Sequence, residues 1–132
     1  MSPATEESYP FYSGHTDIPY GPCEPQRTNI MVSECIAPER NNVSQMKAAL
    51  ATQPLSVSSD MNDNFKNFKS GIFDDTSCGD NSYHAMLLVG WGNDADSGLD
   101  YWLIKNSFAT NWGDKGYIKM AIVEGKGICG IQ

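Results

Sequence analysis

Apolar residues recur at helical spacing in one short segment of the chain, from about Val43 to Thr52. Residues that return every three or four positions share one face of a helix, and an apolar face packs against a core. Asn42, directly before the segment, can cap a helix with its side chain, and Pro54 cannot continue one. The pattern predicts one helix, whose apolar face consists of Val43, Met46, Ala49 and Leu50.

Beyond this helix, apolar positions either alternate with polar ones or form short continuous runs. Both patterns are typical of strands, exposed on one face in the first case and buried in the second. They predict strands over residues 55–58, His84–Trp91, Tyr101–Lys105 and Gly116–Val123, with a turn over Asn93–Gly98 between the second and the third.

The first 40 residues differ from the rest, because six of the seven prolines lie there, at positions 3, 10, 19, 22, 25 and 38. Proline excludes a long helix, so residues 1–40 are expected to be an extended, turn-rich segment. Residues 41–132 are then the folded domain, with Phe65 and Phe68 closing one end of its core. One helix followed by short strands with hairpin connections predicts a mainly β (α+β) fold, an antiparallel, barrel-like sheet with one packed helix.

The composition fits a folded globular protein, with 40% hydrophobic and 19% charged residues. The net charge of −7 opposes binding to phosphate backbones and to anionic lipid. No apolar run approaches the 18 residues that would suggest a membrane-spanning helix. Neither nucleic acid nor a membrane is therefore expected as a partner.

Four cysteines, Cys23, Cys35, Cys78 and Cys129, permit two disulfides in three pairings, or four reduced thiols. They form no CxxC pair, and neither histidine lies at zinc-ligand spacing from a cysteine, so no metal site is expected. The turn after Asn93 resembles a calcium loop only superficially, because its third and twelfth ligand positions hold alanine and isoleucine. No cofactor is expected either.

The N-terminus has neither the basic region nor the apolar run of a signal peptide. Two readings of the compartment remain open. A native start at Met1 implies the cytosol, whereas a fragment of a longer precursor implies a lysosomal or secreted protein. The glycosylation sequon that begins at Asn42 matters only in the second case.

His84 and Asn106 are the candidate catalytic pair. By position alone, at the start of a buried strand, His84 favours a structural role. However, Asn106 follows the returning strand of the same predicted hairpin, so antiparallel pairing brings the two residues close together. An amide oxygen can accept the imidazole N–H, fix the tautomer and leave the other ring nitrogen free for a partner. This is the base-and-orienter half of a nucleophilic triad.

The sequence around both residues resembles that of the papain and cathepsin L-like cysteine proteases. Residues 81–92 read Asn-Ser-Tyr-His-Ala-Met-Leu-Leu-Val-Gly-Trp-Gly and resemble the histidine block of that family. Residues 101–113 read Tyr-Trp-Leu-Ile-Lys-Asn-Ser-Phe-Ala-Thr-Asn-Trp-Gly and resemble its asparagine block. Shorter matches run in family order at residues 5–11, 53–57, 71–73 and 116–131. The resemblance covers nearly the whole chain and implies the right-hand, C-terminal domain of the family.

The resemblance implies a role for several residues. It makes His84 the general base and acid and Asn106 its orienter. It also implies a disulfide between Cys78 and Cys129, while Cys23 matches a cysteine that the family bridges to its left-hand domain. Here Cys23 either pairs with Cys35, which we favour, or stays free. The residues expected at the substrate cleft are Ser58 and Ala85 on the wall of the pocket for the second substrate residue, Trp112 near the leaving-group side, and Tyr83 beside the histidine.

The chain departs from an active protease of this family in several respects. Nothing resembles the Cys-Gly-Ser-Cys-Trp segment that carries the nucleophile, nor the domain that activates the thiol. Phe108 stands where the family usually has tryptophan over the His–Asn hydrogen bond. Tyr83 stands where asparagine or aspartate usually precedes the histidine.

Two hypotheses about function follow from these departures. The first is a non-catalytic binding or structural module within an assembly. The second is one chain of a split or processed cysteine endopeptidase, which supplies His84 and Asn106 to a cysteine on another chain. The sequence alone slightly favours the first, and alone the chain is expected to be inactive. Both hypotheses require a protein partner, either a left-hand protease domain or a larger assembly. A peptide substrate is expected to bind only to the completed enzyme.

Overall fold

The structure is a computed structural model, and it describes residues 32–132. Residues 38–132 form one compact unit, whereas residues 32–37 belong to a separate one. Residues 32–39 have no regular secondary structure. The rest of the predicted extended segment, residues 1–31, lies outside the described residues, so the expected division of the chain at residue 40 stays a prediction.

The predicted helix is present as α1, Val43–Leu50. Asn42 caps it, because its side-chain oxygen accepts the backbone N–H of Gln45 at 3.0 Å. The helix ends earlier than predicted, since the N–H of Thr52 bonds to the carbonyl three residues back, at Ala49, in a closing turn. Met46 and Leu50 on its apolar face are buried against the sheet.

Five strands form one sheet in the order β1-β3-β4-β5-β2. Their bounds are β1 Leu55–Ser59, β2 Ile72–Phe73, β3 His84–Asn93, β4 Asp100–Lys105 and β5 Tyr117–Ala121. A four-residue helix, α2, spans Asp63–Lys66, and a short 3-10 helix spans Ile128–Gly130. The predicted mainly β fold with a packed helix is confirmed.

The expectation of a purely antiparallel sheet was wrong in one respect, because β2 pairs with β5 in parallel. β2 has only two residues and follows Gly71, whose φ of 85° lies in the left-handed region that favours glycine. A two-residue strand carries no alternation, so the sequence could not reveal it. The sheet is therefore mixed, and β1 and β2 are its edge strands.

The core lies between one face of the sheet and the two α-helices. Trp102, Leu88 and Ile104 are completely buried there. Phe65 and Phe68, expected to close one end of the core, are both buried as well. None of the described helices is long and apolar enough to cross a membrane.

Candidate active site

The β3–β4 hairpin brings His84 and Asn106 together. His84 is the first residue of β3, and Asn106 directly follows β4, the antiparallel neighbour of β3. The imidazole Nε2 lies 2.7 Å from the side-chain oxygen of Asn106. Asn106 is only 8% exposed, and His84 is partly buried. Water competes only weakly for the two groups in such a setting. The hydrogen bond therefore holds the ring in one orientation.

A second hydrogen bond fixes which way the Asn106 amide points. The backbone N–H of Ser107 donates to the same side-chain oxygen at 2.7 Å. A backbone N–H requires an acceptor, so this atom is the oxygen and not the nitrogen of the amide. The oxygen can only accept from His84, hence Nε2 carries the proton in the neutral ring. Nδ1 then holds the lone pair that acts as a base.

Aromatic rings pack on the imidazole from within the same unit. The ring centre of Phe108 lies 5.0 Å from that of His84, at an interplanar angle of 38°. The ring of Phe65 contacts His84 edge-on, at 6.3 Å and 74°. These rings occupy space that water would otherwise take beside the His84–Asn106 hydrogen bond. The phenylalanine at position 108 thus still packs against the pair.

Two buried polar atoms beside the pair have no hydrogen-bond partner among the described residues, the hydroxyl of Ser59 and the amide nitrogen of Asn106. Ser59 is 1% exposed and lies opposite His84 in the β1–β3 register. Residues that pair in this way place their side chains on the same face of a sheet. Ser59 was not among the residues predicted for the site, although the alternation of Leu55 and Val57 indicates an inward position for it.

The residues expected at the substrate cleft lie in two different surroundings. Ser58 and Ala85 pair across β1 and β3 and are both exposed, on the outer face of the sheet. Tyr83 is 76% exposed, and its backbone N–H donates to the carbonyl of Ser59. Trp112, in contrast, is buried, and its indole N–H donates to the carbonyl of Lys66 at 2.9 Å. Substrate contact by these four residues stays a prediction.

A shallow cleft of about 270 Å³ lies next to Asn106 on the outer face of the sheet. Leu87 and Lys105 are paired neighbours in this cleft, and both are exposed. The residues that line it are Ala85, Met86, Leu87, Lys105, Asn106 and Ser107. The cleft therefore combines apolar surface with the Lys105 cation, and Asn106 of the catalytic pair forms part of its wall.

Cys78 and Cys129 form a disulfide across 51 positions of sequence, as the resemblance implied. Cys35 is exposed and forms no disulfide with another described residue. Cys23 lies outside the described residues, so the expected pairing of Cys23 with Cys35 stays a prediction. Within residues 32–132, no three His, Cys, Asp or Glu side chains are grouped so that they could hold a metal ion.

Comparison with known proteins identifies the family of this chain. The family model described as "Papain family cysteine protease" matches residues 2–132. Cysteine proteinase 3 of Solanum lycopersicum is 38% identical over 133 residues, covering 96% of this chain but 35% of that protein. Cathepsin L of Sarcophaga peregrina is 38% identical over 122 residues, covering 89% of this chain and 34% of that protein.

A solved structure, that of the bromelain protease from Ananas comosus in complex with the E64 inhibitor, matches with a TM-score of 0.65 and 45% identity. The match covers 70% of this chain and 43% of the bromelain chain. This chain thus spans about a third of the length of Cysteine proteinase 3 and of cathepsin L, and it corresponds to their C-terminal part. The chain belongs to the papain family of cysteine proteases.

Proposed function

We propose that this chain supplies the general base and its orienting residue to a cysteine endopeptidase, whose nucleophilic thiol comes from a segment not found among these residues. The observation that carries the proposal is the 2.7 Å contact between Nε2 of His84 and the Asn106 oxygen. A module retained only for binding does not need this pair. The pair is also held by the Ser107 N–H, so it is assembled before any thiol arrives.

In this mechanism Nδ1 of His84 gains and loses a proton, whereas Nε2 keeps its proton. Nδ1 of His84 takes the thiol proton, and the resulting thiolate attacks the peptide carbonyl carbon to form a tetrahedral intermediate. The imidazolium then gives the Nδ1 proton to the leaving amine nitrogen as the C–N bond breaks, which leaves an acyl-enzyme thioester. Water then gives a proton to the same nitrogen and attacks the thioester carbon, and the C–S bond breaks to release the carboxylic acid while the Nδ1 proton returns to the sulfur. Nε2–H stays bonded to Asn106 throughout, so the ring keeps its orientation.

The outer face of the sheet supports docking of the thiol-bearing partner. Leu87 is 39% exposed in the middle of this face, beside Ala85 and the Lys105 ammonium. Burying an exposed apolar side chain such as Leu87 against another protein surface is favourable, because it removes apolar area from water. The Cys78–Cys129 disulfide further supports the secreted or lysosomal reading, since such bonds persist in oxidising compartments.

A second candidate function is the non-catalytic binding module. Tyr83 favours it, because a bulky side chain that is 76% exposed directly precedes His84. At that position the family usually has asparagine or aspartate, so the tyrosine departs from the pattern of the active proteases. In this case the same face of the sheet binds a structural partner and no thiol takes part.

Restoring the missing part from a relative distinguishes the two functions. The portion of the Ananas comosus bromelain protease that this chain does not cover would be joined to residues 1–132, and hydrolysis of a fluorogenic peptide would be followed. We expect hydrolysis, together with covalent uptake of one E64 molecule per chain. Bromelain with its own C-terminal part is the positive control. A fusion that folds, by circular dichroism and by an intact Cys78–Cys129 bond, yet shows neither signal would contradict the proposal and favour the binding module.

A further inference from the structure

Asp75, in the segment between β2 and β3, gathers hydrogen bonds that sequence reasoning did not anticipate. Its carboxylate accepts the side-chain N–H groups of Asn62 at 2.8 Å and of Asn64 at 2.7 Å. It also accepts the backbone N–H of Ser77 at 2.8 Å and the hydroxyl of Ser77 at 2.6 Å. These bonds, that of the Ser77 hydroxyl first, hold the pKa of the Asp75 carboxyl far below its usual value. The Asp75 carboxylate is therefore the shared acceptor of side chains from both Asn62 and Asn64 and of Ser77.

One of these donors, Asn62, is also the cap of α2. Its side-chain oxygen accepts the backbone N–H of Phe65 at 2.9 Å. An asparagine amide presents the oxygen on one side and the nitrogen on the other. Because Asp75 holds the nitrogen, the oxygen has to face the helix. Asp75 thus sets the orientation of the cap, and the cap sets the first turn of α2.

Phe65, the residue whose N–H is capped, is the link to the catalytic pair. Its ring is completely buried and contacts the His84 imidazole edge-on, at 6.3 Å between ring centres. It also packs on Trp112 at 5.4 Å, and the Trp112 indole bonds to Lys66 of the same helix. A shift of this four-residue helix therefore moves a ring that lies directly against His84.

We propose that Asp75 is a positioning residue for His84, acting through the Asn62 cap and the Phe65 ring. Its effect on His84 needs only the contacts within this chain. Its effect on turnover rests on the proposed function. Within the chain, Asp75 keeps Phe65 at one distance from the imidazole and thereby preserves the short contact between His84 and Asn106.

The test compares Asp75→Asn with Asp74→Asn in the full chain. Asp74 is exposed, and its side chain accepts no hydrogen bond from another described residue, so it is the matched control. We expect Asp75→Asn to displace the His84 Hδ2 and Hε1 resonances, because the Phe65 ring packs on the imidazole and its ring current changes when the two rings move apart. Amide exchange of Phe65 should accelerate about fivefold, the effect of a weakened cap. Asp74→Asn should change neither.

Two further variants separate positioning from a general loss of stability. Asn62→Ala should displace the same His84 resonances, and adding Asp75→Asn to it should displace them no further, because both act along one path. Faster exchange of all core amides alike, with His84 resonances unchanged, would overturn the proposal. Additive displacements in the double variant would also overturn it.

The fusion with the bromelain portion distinguishes failure of this inference from failure of the proposed function. In an active fusion, Asp75→Asn should lower kcat and leave KM unchanged, and Asp74→Asn should alter neither. If the fusion is inactive but the His84 resonances respond as expected, the proposed function fails and the positioning role stands. If the fusion is active and kcat is the same in both variants, the positioning role in turnover is wrong.

Discussion

Replacing His84 by alanine should lower peptide hydrolysis by the bromelain fusion about a thousandfold, because a positioned general acid–base group contributes roughly that factor. The variant loses the base that forms the thiolate and the acid that protonates the leaving amine. Asn106→Ala should cost less, since the imidazole remains but its Nε2–H loses the acceptor 2.7 Å away. Both losses would be measured as kcat/KM with one fluorogenic peptide under one set of conditions.

The control for this pair is Asp96→Asn, an exposed position in the turn between β3 and β4. It should leave kcat/KM within about twofold of the unaltered fusion. Substitutions of exposed residues that neither fill the core nor form a cap or a buried hydrogen bond have small effects. Equal activity of the His84→Ala and Asp96→Asn fusions would mean that another group serves as the base, and the role assigned to His84 would be wrong.

Removing the Cys78–Cys129 disulfide should lower the free energy of unfolding by about 4 kcal/mol in the chain-entropy model. The bond closes a loop between residues 51 positions apart, and it joins the segment before β3 to the 3-10 helix at Ile128–Gly130. Replacing both cysteines by alanine removes the restriction that the bond places on the unfolded chain, which raises the conformational entropy of that state. The pairing of the strands stays intact. Urea unfolding of the chain, followed by tryptophan fluorescence, measures the difference.

Ser70→Ala is the control for the disulfide, because Ser70 is exposed and its hydroxyl forms no hydrogen bond with another described residue. Its free energy of unfolding should lie within about 0.5 kcal/mol of the unaltered chain. A loss of under 1 kcal/mol in the double alanine variant would show that hydrophobic packing alone fixes the C-terminal segment.

Features with a local and repeated signal could be predicted from the sequence. The cap at Asn42 and the apolar spacing after it predicted α1, although its last turn ended at Leu50. The β3–β4 hairpin was predicted from two apolar runs and a polar turn. Since the pairing of a hairpin follows from its turn, the closeness of His84 and Asn106 could be inferred as well.

Features that depend on contacts distant in the sequence could not be predicted in this way. α2 has four residues, too few for a helical period, and its cap depends on Asp75, thirteen positions after Asn62. β2 exists because it pairs with β5, far along the chain. The buried ring of Trp112 bonds to the carbonyl of Lys66, 46 positions earlier in the chain, and its place at the cleft stays a prediction. Contacts of this kind appear only when the whole chain is folded.

The most direct test of the assembled catalytic pair is to measure which ring nitrogen of His84 carries the proton. Nitrogen-15 NMR of the chain, with His15 replaced by glutamine so that one imidazole remains, reports which nitrogen of the neutral ring carries the proton. We expect the proton on Nε2, and we expect it to exchange slowly with water. In the Asn106→Ala variant this proton should exchange rapidly. A proton found mainly on Nδ1, or exchange that Asn106→Ala leaves unchanged, would contradict an orienting hydrogen bond from His84 to Asn106.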